Sequence, residues 1–241
     1  MRSVTSRPRA YVRVAGPDAE DYLQRMVSND VAALGVGEAC DALLLTPKAR
    51  IVAPLRIVRR AADDYLVLTE PELGETARAQ LLRARFAAKV EIEPEEHESW
   101  LVVGGQEVLD ARPEGDEASA EEVERWRIES RIPKWGAELD ESILPAEAGL
   151  EETHVSFAKG CYPGQEPIAR QHYRGKVNRT LRVLDIDGEV APGDELRFGE
   201  KTVGRITSAA NGVALAYVRT EVPDDAQLAI AAKASSARLR Q

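Results

Sequence analysis

The clearest candidate for chemistry is the segment 159–166, which reads Lys-Gly-Cys-Tyr-Pro-Gly-Gln-Glu and is called the octet below. Cys161 stands there in a glycine-punctuated turn, two residues after Lys159, with Arg170 and Arg174 close behind. Cationic neighbours favour the thiolate, which is the form of cysteine that attacks electrophiles and binds metals. The octet therefore predicts a functional thiol. The alternative is a buried, inert cysteine, which is what most free cysteines are.

Carboxylates and cations near the thiol could hold a ligand. Glu129 and Glu166 could each accept two hydrogen bonds from the amino-imino edge of a heterocycle or bind a cation, although an isolated glutamate is more often a solvated surface charge. A run of cations could clasp the carboxylates of an anionic ligand. These are Arg170, His172, Arg174, Lys176 and Arg179. The alternative is a basic loop that pairs with the acidic surface of the same protein.

Familiar catalytic motifs are absent from the sequence. It contains no GxSxG, HExxH, CxxC, GxGxxG or GxxxxGK[ST] pattern, and its three histidines are scattered. With only Cys40 and Cys161, the chain also lacks the thiols of a cysteine-rich zinc site, so we predict no metal site and a reducing compartment.

Charge and hydropathy limit the class of protein further. The formal net charge of -9 argues against a protein that coats nucleic acid, because phosphate binding depends on lysine and arginine. No apolar run approaches the roughly 20 residues that a membrane-spanning helix needs. We therefore expect a cytoplasmic protein with no membrane partner and no stable binding of nucleic acid.

The apolar pattern before residue 110 predicts an α+β fold. Helical periodicity begins after Asp18, which we expect to cap the first helix. Apolar or alternating runs predict strands that do not alternate regularly with helices, which is typical of α+β proteins. The predicted helices are 19–27 and 72–86, and the predicted strands are 11–14, 40–46, 51–58, 65–69, 90–92 and 100–103, with 40–69 in one sheet.

The second half of the chain has a different composition and apolar pattern. Residues 110–121 are acidic and poor in bulky apolar groups, which predicts a solvated loop. A helix is predicted at 121–128. Short strands with Gly, Pro or Asp between them then predict a small antiparallel barrel or sandwich. These strands are 181–186, 195–198, 202–206, 213–218 and 228–232.

The octet resembles the KGCYxGQE signature of the YgfZ family of folate-binding proteins, which are relatives of the glycine-cleavage T-protein, an aminomethyltransferase. The similarity extends along nearly the whole chain. Residues 16–31 and 46–50 resemble the first helix and the following strand turn of that superfamily, residues 127–150 resemble its central stretch, and residues 203–218 resemble its C-terminal domain.

This resemblance implies a ring of three subdomains around a channel that accepts tetrahydrofolate. Two interleaved α+β subdomains would occupy residues 1–178, and a small antiparallel β-barrel would occupy residues 179–241. The pterin would meet Glu129, and the glutamyl tail would meet arginines. The folate-binding residues that the resemblance implies are Glu129, Tyr162, Gln165, Glu166, Arg170 and Arg174.

The same resemblance implies a role in the assembly or repair of iron-sulfur clusters in a subset of enzymes, including enzymes that thiolate tRNA. Cys161 would be the working residue, and Lys159 would favour its thiolate. Because one cysteine cannot hold a cluster by the usual four thiolates, the implied partners are iron-sulfur apo-proteins or cluster carriers that bind transiently.

The sequence also departs from the superfamily pattern. Ala53 and Pro54 stand where T-proteins carry an aspartate pair, and neither can accept a proton, which argues against aminomethyl transfer. Ala49 stands where the family often has glycine. Two alternatives remain open at this point: a tetrahydrofolate-dependent one-carbon transferase and a non-catalytic interaction scaffold.

Overall fold

The structure is a computed structural model that describes residues 2–231 and 233–240. Its strands form a five-stranded sheet, a four-stranded sheet and a closed barrel. The strands are β1 (Ser3–Ser6), β2 (Ala10–Ala15), β3 (Ala39–Leu45), β4 (Ile51–Ala61), β5 (Asp64–Thr69), β6 (Glu91–Glu95), β7 (Ser99–Val102), β8 (Glu107–Leu109), β9 (Asp116–Glu117), β10 (Arg179–Asp187), β11 (Glu195–Phe198), β12 (Lys201–Ala210), β13 (Val213–Arg219), β14 (Gln227–Ile230) and β15 (Ser236–Leu239). The helices are α1 (Ala19–Met26), α2 (Gly74–Arg83), α3 (Ala120–Glu129), α4 (Pro145–Ala148), α5 (Glu151–His154) and α6 (Gln165–Arg174).

The five-stranded sheet has the order β3-β4-β5-β2-β6, so the three strands predicted to share a sheet are neighbours in it. Helix α1 buries the apolar face that its periodicity predicts, including Tyr22 and Leu23. These side chains and those of Ala77 and Leu81 from α2 form one core cluster with the sheet. Because such burial stabilises by about 25 cal/mol per Å² of apolar surface, this cluster holds the first half of the chain together.

The predicted cap of α1 is wrong. No side-chain hydrogen bond caps this helix, and the Asp18 carboxylate instead accepts a hydrogen bond of 2.7 Å from the backbone N–H of Lys89. Asp18 therefore ties the start of α1 to the segment between α2 and β6. A distant donor competes here with the local one, which the sequence pattern alone does not reveal.

The four-stranded sheet has the order β8-β7-β1-β9, and three of its strands, β1, β8 and β9, were not predicted from the sequence. Strand β1 pairs with β7 in antiparallel fashion and with β9 in parallel fashion. Strand β9 lies inside the predicted loop 110–121, and α3 begins at its end. All three strands are short, and β9 has no apolar side chain. Backbone pairing with distant segments, rather than a local pattern, therefore forms β1 and β9.

The closed barrel has the strand order β10-β13-β12-β11-β14-β15. The predicted α+β fold with a small antiparallel barrel is thereby confirmed, but the barrel has β15 as a further strand. Its sequence, Ser-Ala-Arg-Leu, is too short to show alternation, and it closes the barrel between β10 and β14. The predicted strand 228–232 corresponds to β14, and Ala232 lies outside the described residues.

A buried polar network joins α3 to the barrel. Arg127 donates hydrogen bonds to Glu138 (2.9 Å) and to the Ser208 hydroxyl (2.6 Å), and that hydroxyl donates to Glu138 (2.6 Å). Buried charges need such complete pairing, since each unpaired one costs several kcal/mol. The network therefore fixes α3 against the barrel. None of the described helices is long and apolar enough to cross a membrane.

Candidate functional site

Six of the eight predicted site residues line one open cleft of about 1070 Å³, called the Cys161 cleft below. They are Cys161, Tyr162, Gln165, Glu166, Arg170 and Arg174, and Lys176 lines the cleft with them. Helix α6 gathers them because it begins directly after the turn at Gly164. Residues 166, 170 and 174 are four apart in this helix and so share one face.

The turn that presents Cys161 depends on close backbone packing. Gly164 has φ +84°, and a Cβ added to it would lie 2.7 Å from the carbonyl oxygen of Thr46. Glycine is therefore required there. The neighbouring Ala49 has φ +59°, a left-handed conformation that costs a non-glycine residue about 1–2 kcal/mol. This strain gives a physical reason for the glycine that the family resemblance favours at position 49.

The two cysteines lie in different surroundings. Cys161 is exposed, whereas Cys40 is half-buried in β3. Burial raises the pKa of Cys40 to about 11, and the nearby Asp41 carboxylate adds to this shift. Cys161 is accessible in a cleft that three cations line, and these surroundings are typical of reactive rather than structural cysteines.

Lys159 has hydrogen-bond partners that the sequence did not predict. Its buried ammonium donates hydrogen bonds to the carbonyl oxygens of Gln24 (2.6 Å), Val27 (2.7 Å) and Asn29 (2.8 Å). Burial lowers the pKa of Lys159 to about 8, while the three carbonyl acceptors favour its protonated form. All three donors are used here, so Lys159 anchors the octet to the end of α1 rather than donating to the Cys161 thiol.

A second cavity, of about 530 Å³, is called the central cavity below. Residues from both halves of the chain line it, and none of them lines the Cys161 cleft. They include Arg7, Asp41, Pro54, Trp126, Arg131 and His154. Pro54, one of the two residues that stand where T-proteins carry the aspartate pair, therefore lies at the cavity wall, and it cannot accept a proton there.

Most charges around the central cavity are paired with one another. Arg9 donates two hydrogen bonds of 3.0 Å to Glu107 and one of 2.8 Å to Glu70. Arg56 pairs with Asp41 at 3.1 Å. Arg7 lies near the same carboxylates, at 3.6 Å from Glu107 and 3.9 Å from Glu70, but its buried Nε has no hydrogen-bond partner among the described residues. Burial and the adjacent Arg9 charge lower the pKa of Arg7.

Glu129 does not lie among the described residues that line the central cavity. Its carboxylate pairs with Arg125 at 3.2 Å and with Arg240 at 3.4 Å, while Trp126 and Ser130 line the wall at this end of α3. The channel position expected for Glu129 is therefore not the one observed. Asp41 and Glu152 are carboxylates that do line the cavity.

The sequence interpretation missed the lining of the central cavity. Arg7, Asp41, Trp126 and His154 belong to segments that are far apart in the chain, and no motif or spacing connects them. Burial lowers the pKa of His154, and the Asp41 carboxylate opposes that shift. Within residues 2–231 and 233–240, no group of three or more His, Cys, Asp or Glu side chains is placed to hold a metal ion.

Comparisons with known proteins agree with the barrel and with the predicted family resemblance. The family model described as CAF17, C-terminal beta-barrel domain, matches residues 178–240. The chain is 27% identical to the tRNA-modifying protein YgfZ of Edwardsiella ictaluri, over 91% of the chain and 85% of that protein. This match supports the predicted resemblance to the YgfZ family. It is also 26% identical to the mitochondrial iron-sulfur cluster assembly factor IBA57 of Mus musculus, over 88% of the chain and 76% of that protein.

A solved structure shows the fold that this chain shares. The glycine cleavage system aminomethyltransferase T of Bartonella henselae matches 100% of the chain with a TM-score of 0.83. The match covers 85% of that structure at 16% identity. Such low identity establishes the T-protein-like fold and leaves the activity to be argued from the site.

Proposed function

We propose that the chain is a tetrahydrofolate-binding factor for the assembly or repair of iron-sulfur clusters in a subset of enzymes, including tRNA-modifying ones. The similarity to proteins named for tRNA modification and for iron-sulfur cluster assembly supports this role. The observation that carries the proposal is the exposed Cys161 thiol in a cationic cleft. Thiolates are the usual protein ligands of iron-sulfur clusters.

The cluster in this proposal is cargo that the chain shares with a partner. One thiolate cannot supply the usual four cluster ligands, and the described residues hold no three-ligand group. The remaining ligands must therefore come from the client or carrier. Because Cys161 is exposed in an open cleft, a partner's ligands can reach the same metal.

The central cavity fits the folate part of the proposal. Its volume of about 530 Å³ falls within the usual range for ligand pockets. Asp41 or Glu152 would accept the two parallel donors of a pterin, and Trp126 offers a flat apolar surface. Arg131 and Arg7, whose Nε makes no hydrogen bond within the described residues, would bind the tail carboxylates. When bound, tetrahydrofolate would supply one-carbon or reducing chemistry.

Complementation of cells that lack their own YgfZ-family protein tests the role of the thiol. Cys161→Ser is expected to reduce the level of thiolated tRNA nucleosides to that of the empty vector, measured by mass spectrometry, because serine does not replace a thiolate ligand. Cys40→Ser is the matched control and should retain function. Full function of Cys161→Ser would contradict the proposal and favour an interaction scaffold.

A further inference from the structure

We infer that the Cys161 cleft is the docking face for a partner protein with an acidic surface, which Arg170, Arg174 and Lys176 select. The inference rests on the proposed function, in which a partner completes the cluster ligands. It adds the chemistry by which that partner is recognised.

The three cations are distinguished from their neighbours by the lack of internal partners. His172 pairs with Glu151 at 3.3 Å, and Arg179 pairs with Glu147 at 2.9 Å. In contrast, Arg170, Arg174 and Lys176 are exposed, and none forms an ion pair with a carboxylate elsewhere in the described chain. The basic segment therefore does not pair entirely with the protein's own surface, which was the alternative that the sequence left open.

The charge of this cleft is opposite to that of the whole protein. The chain has 41 acidic and 32 basic residues, whereas Glu166 is the carboxylate that lines the cleft beside its three cations. Such a local positive region on an acidic protein attracts carboxylates and repels other cations over about one Debye length. These cations have no internal ion pair that must be broken first, so they are available for pairing with another molecule.

An aromatic group on the same helix adds the second property of an interface. Tyr173 is 69% exposed and packs edge-on against His172, with ring centroids 4.9 Å apart, and against Phe157 at 6.1 Å. Tyrosine and arginine are the residues most enriched at the energetic centres of protein interfaces. Helix α6 therefore presents an aromatic anchor next to charged groups.

A protein partner fits this surface better than a nucleic acid does. Nucleic acids bind through a long series of phosphate contacts, and a net charge of -9 opposes a polyanion that extends beyond the cleft. A short acidic segment of a protein avoids this repulsion, and its carboxylates match the bidentate geometry of guanidinium groups. The occupant is accordingly a protein that presents several carboxylates close to its own cluster ligands.

Protection of Cys161 from alkylation tests the inference on the intact protein. The probe is a short acetylated peptide in which every second residue is glutamate, and its control has glutamine at the same positions. Iodoacetamide is uncharged, and mass spectrometry follows its reaction with Cys161. We expect the acidic peptide to slow the reaction at least about threefold at low salt and to lose its effect at about 1 M salt, where the Debye length is near 3 Å. The glutamine peptide should have no effect.

Charge reversal distinguishes an effect of the cleft cations from an effect of the protein's net charge. In Arg170→Glu/Arg174→Glu/Lys176→Glu the protection should disappear. The matched variant Arg83→Glu/Arg85→Glu/Lys89→Glu makes the same charge change at three exposed positions, the last residue of α2 and two beyond it, and should keep the protection. Circular dichroism checks the fold of both variants. If the cleft variant does not fold, Arg170→Gln and Arg174→Gln are each expected to reduce the protection in part.

Several outcomes would overturn the inference. They are no protection of the wild-type protein, equal loss of protection in the two charge-reversal variants, and protection at about 0.15 M salt by a short single-stranded RNA but not by the peptide. These outcomes are distinguishable from failure of the proposed function. Loss of function in Cys161→Ser without any peptide effect would retain the role of the thiol and reject the acidic partner.

Discussion

The central cavity and the Cys161 cleft differ in whether their charged side chains are paired within the protein. In the cavity, the Arg9 and Glu107 side chains are only 10% and 8% exposed and pair with each other. In the cleft, Arg170 and Arg174 are exposed and have no internal carboxylate partner within the described chain. Buried pairs become part of the stability of the fold, because removal of one partner leaves an uncompensated charge. Exposed, unpaired charges contribute little to stability and are free to act on other molecules.

The largest effect that this difference predicts is on unfolding. Arg9→Met removes both hydrogen bonds that buried Glu107 receives from Arg9, leaves the longer 3.6 Å contact with Arg7, and is expected to cost about 3–5 kcal/mol of unfolding free energy. Arg170→Met, the matched change in the cleft, should stay within about 0.5 kcal/mol. Urea denaturation measures both. Equal losses would show that the two sets of charges do not differ in their structural role.

Lys159 should behave like the cavity charges although it belongs to the octet. Lys159→Met removes three hydrogen bonds from a charged donor at the end of α1 and is expected to cost about 2 kcal/mol, measured by urea denaturation. Lys176→Met, also a change near Cys161, should leave stability unchanged. A fully stable Lys159→Met protein with slower Cys161 alkylation would instead favour the role in activating the thiol that the sequence predicted.

Tetrahydrofolate binding should depend on the cavity and not on the cleft. Asp41→Asn replaces one of two charged hydrogen-bond acceptor oxygens and is expected to weaken binding about tenfold, or 1.4 kcal/mol, in calorimetric titration. Arg174→Gln and Glu129→Gln should leave the dissociation constant unchanged. Weaker binding in either of these two variants, with normal binding by Asp41→Asn, would restore the site that the sequence predicted.

The smallest expected effect is a pH dependence of stability that comes from the body of the fold. Glu95 and Asp110 contact the two ring nitrogens of His97 at 2.9 and 2.8 Å. Burial opposes protonation, but these hydrogen bonds outweigh it and raise the pKa of His97. Its contribution is therefore complete below the unfolded pKa of about 6.5 and is lost as pH rises through the folded pKa.

Urea midpoints between about pH 6 and pH 9 measure this contribution. His97→Gln should flatten the decline of the midpoint with rising pH, because glutamine does not titrate in this range. His172→Gln, on α6, is the matched control and should keep the decline. A decline that persists in His97→Gln would assign the pH dependence to another group.

The cleft was predictable from the sequence to a much greater degree than the cavity. Its residues follow one another in the octet and along α6, so local spacing was enough to gather Cys161, Glu166, Arg170 and Arg174. Helix α6 itself was not predicted, because Gly164 and Pro167 indicate a turn, although proline is tolerated in the first turn of a helix. The wrong cap of α1 and the unforeseen contacts of Lys159 have a common cause. Lys159 and Asp18 contact backbone groups that are distant in the chain, and local patterns do not contain that information.

The pairing of β1 determines when the four-stranded sheet can form during synthesis of the chain. Val4 pairs with Val102, and Ser3 pairs with Asp116. At a translation rate of about 5–20 residues per second, these partners leave the ribosome roughly 5–20 seconds after β1 does. During that interval β1 has unpaired backbone groups on both edges. The four-stranded sheet therefore assembles late, after the strands β3, β4 and β5 have had time to pair with their neighbours in sequence.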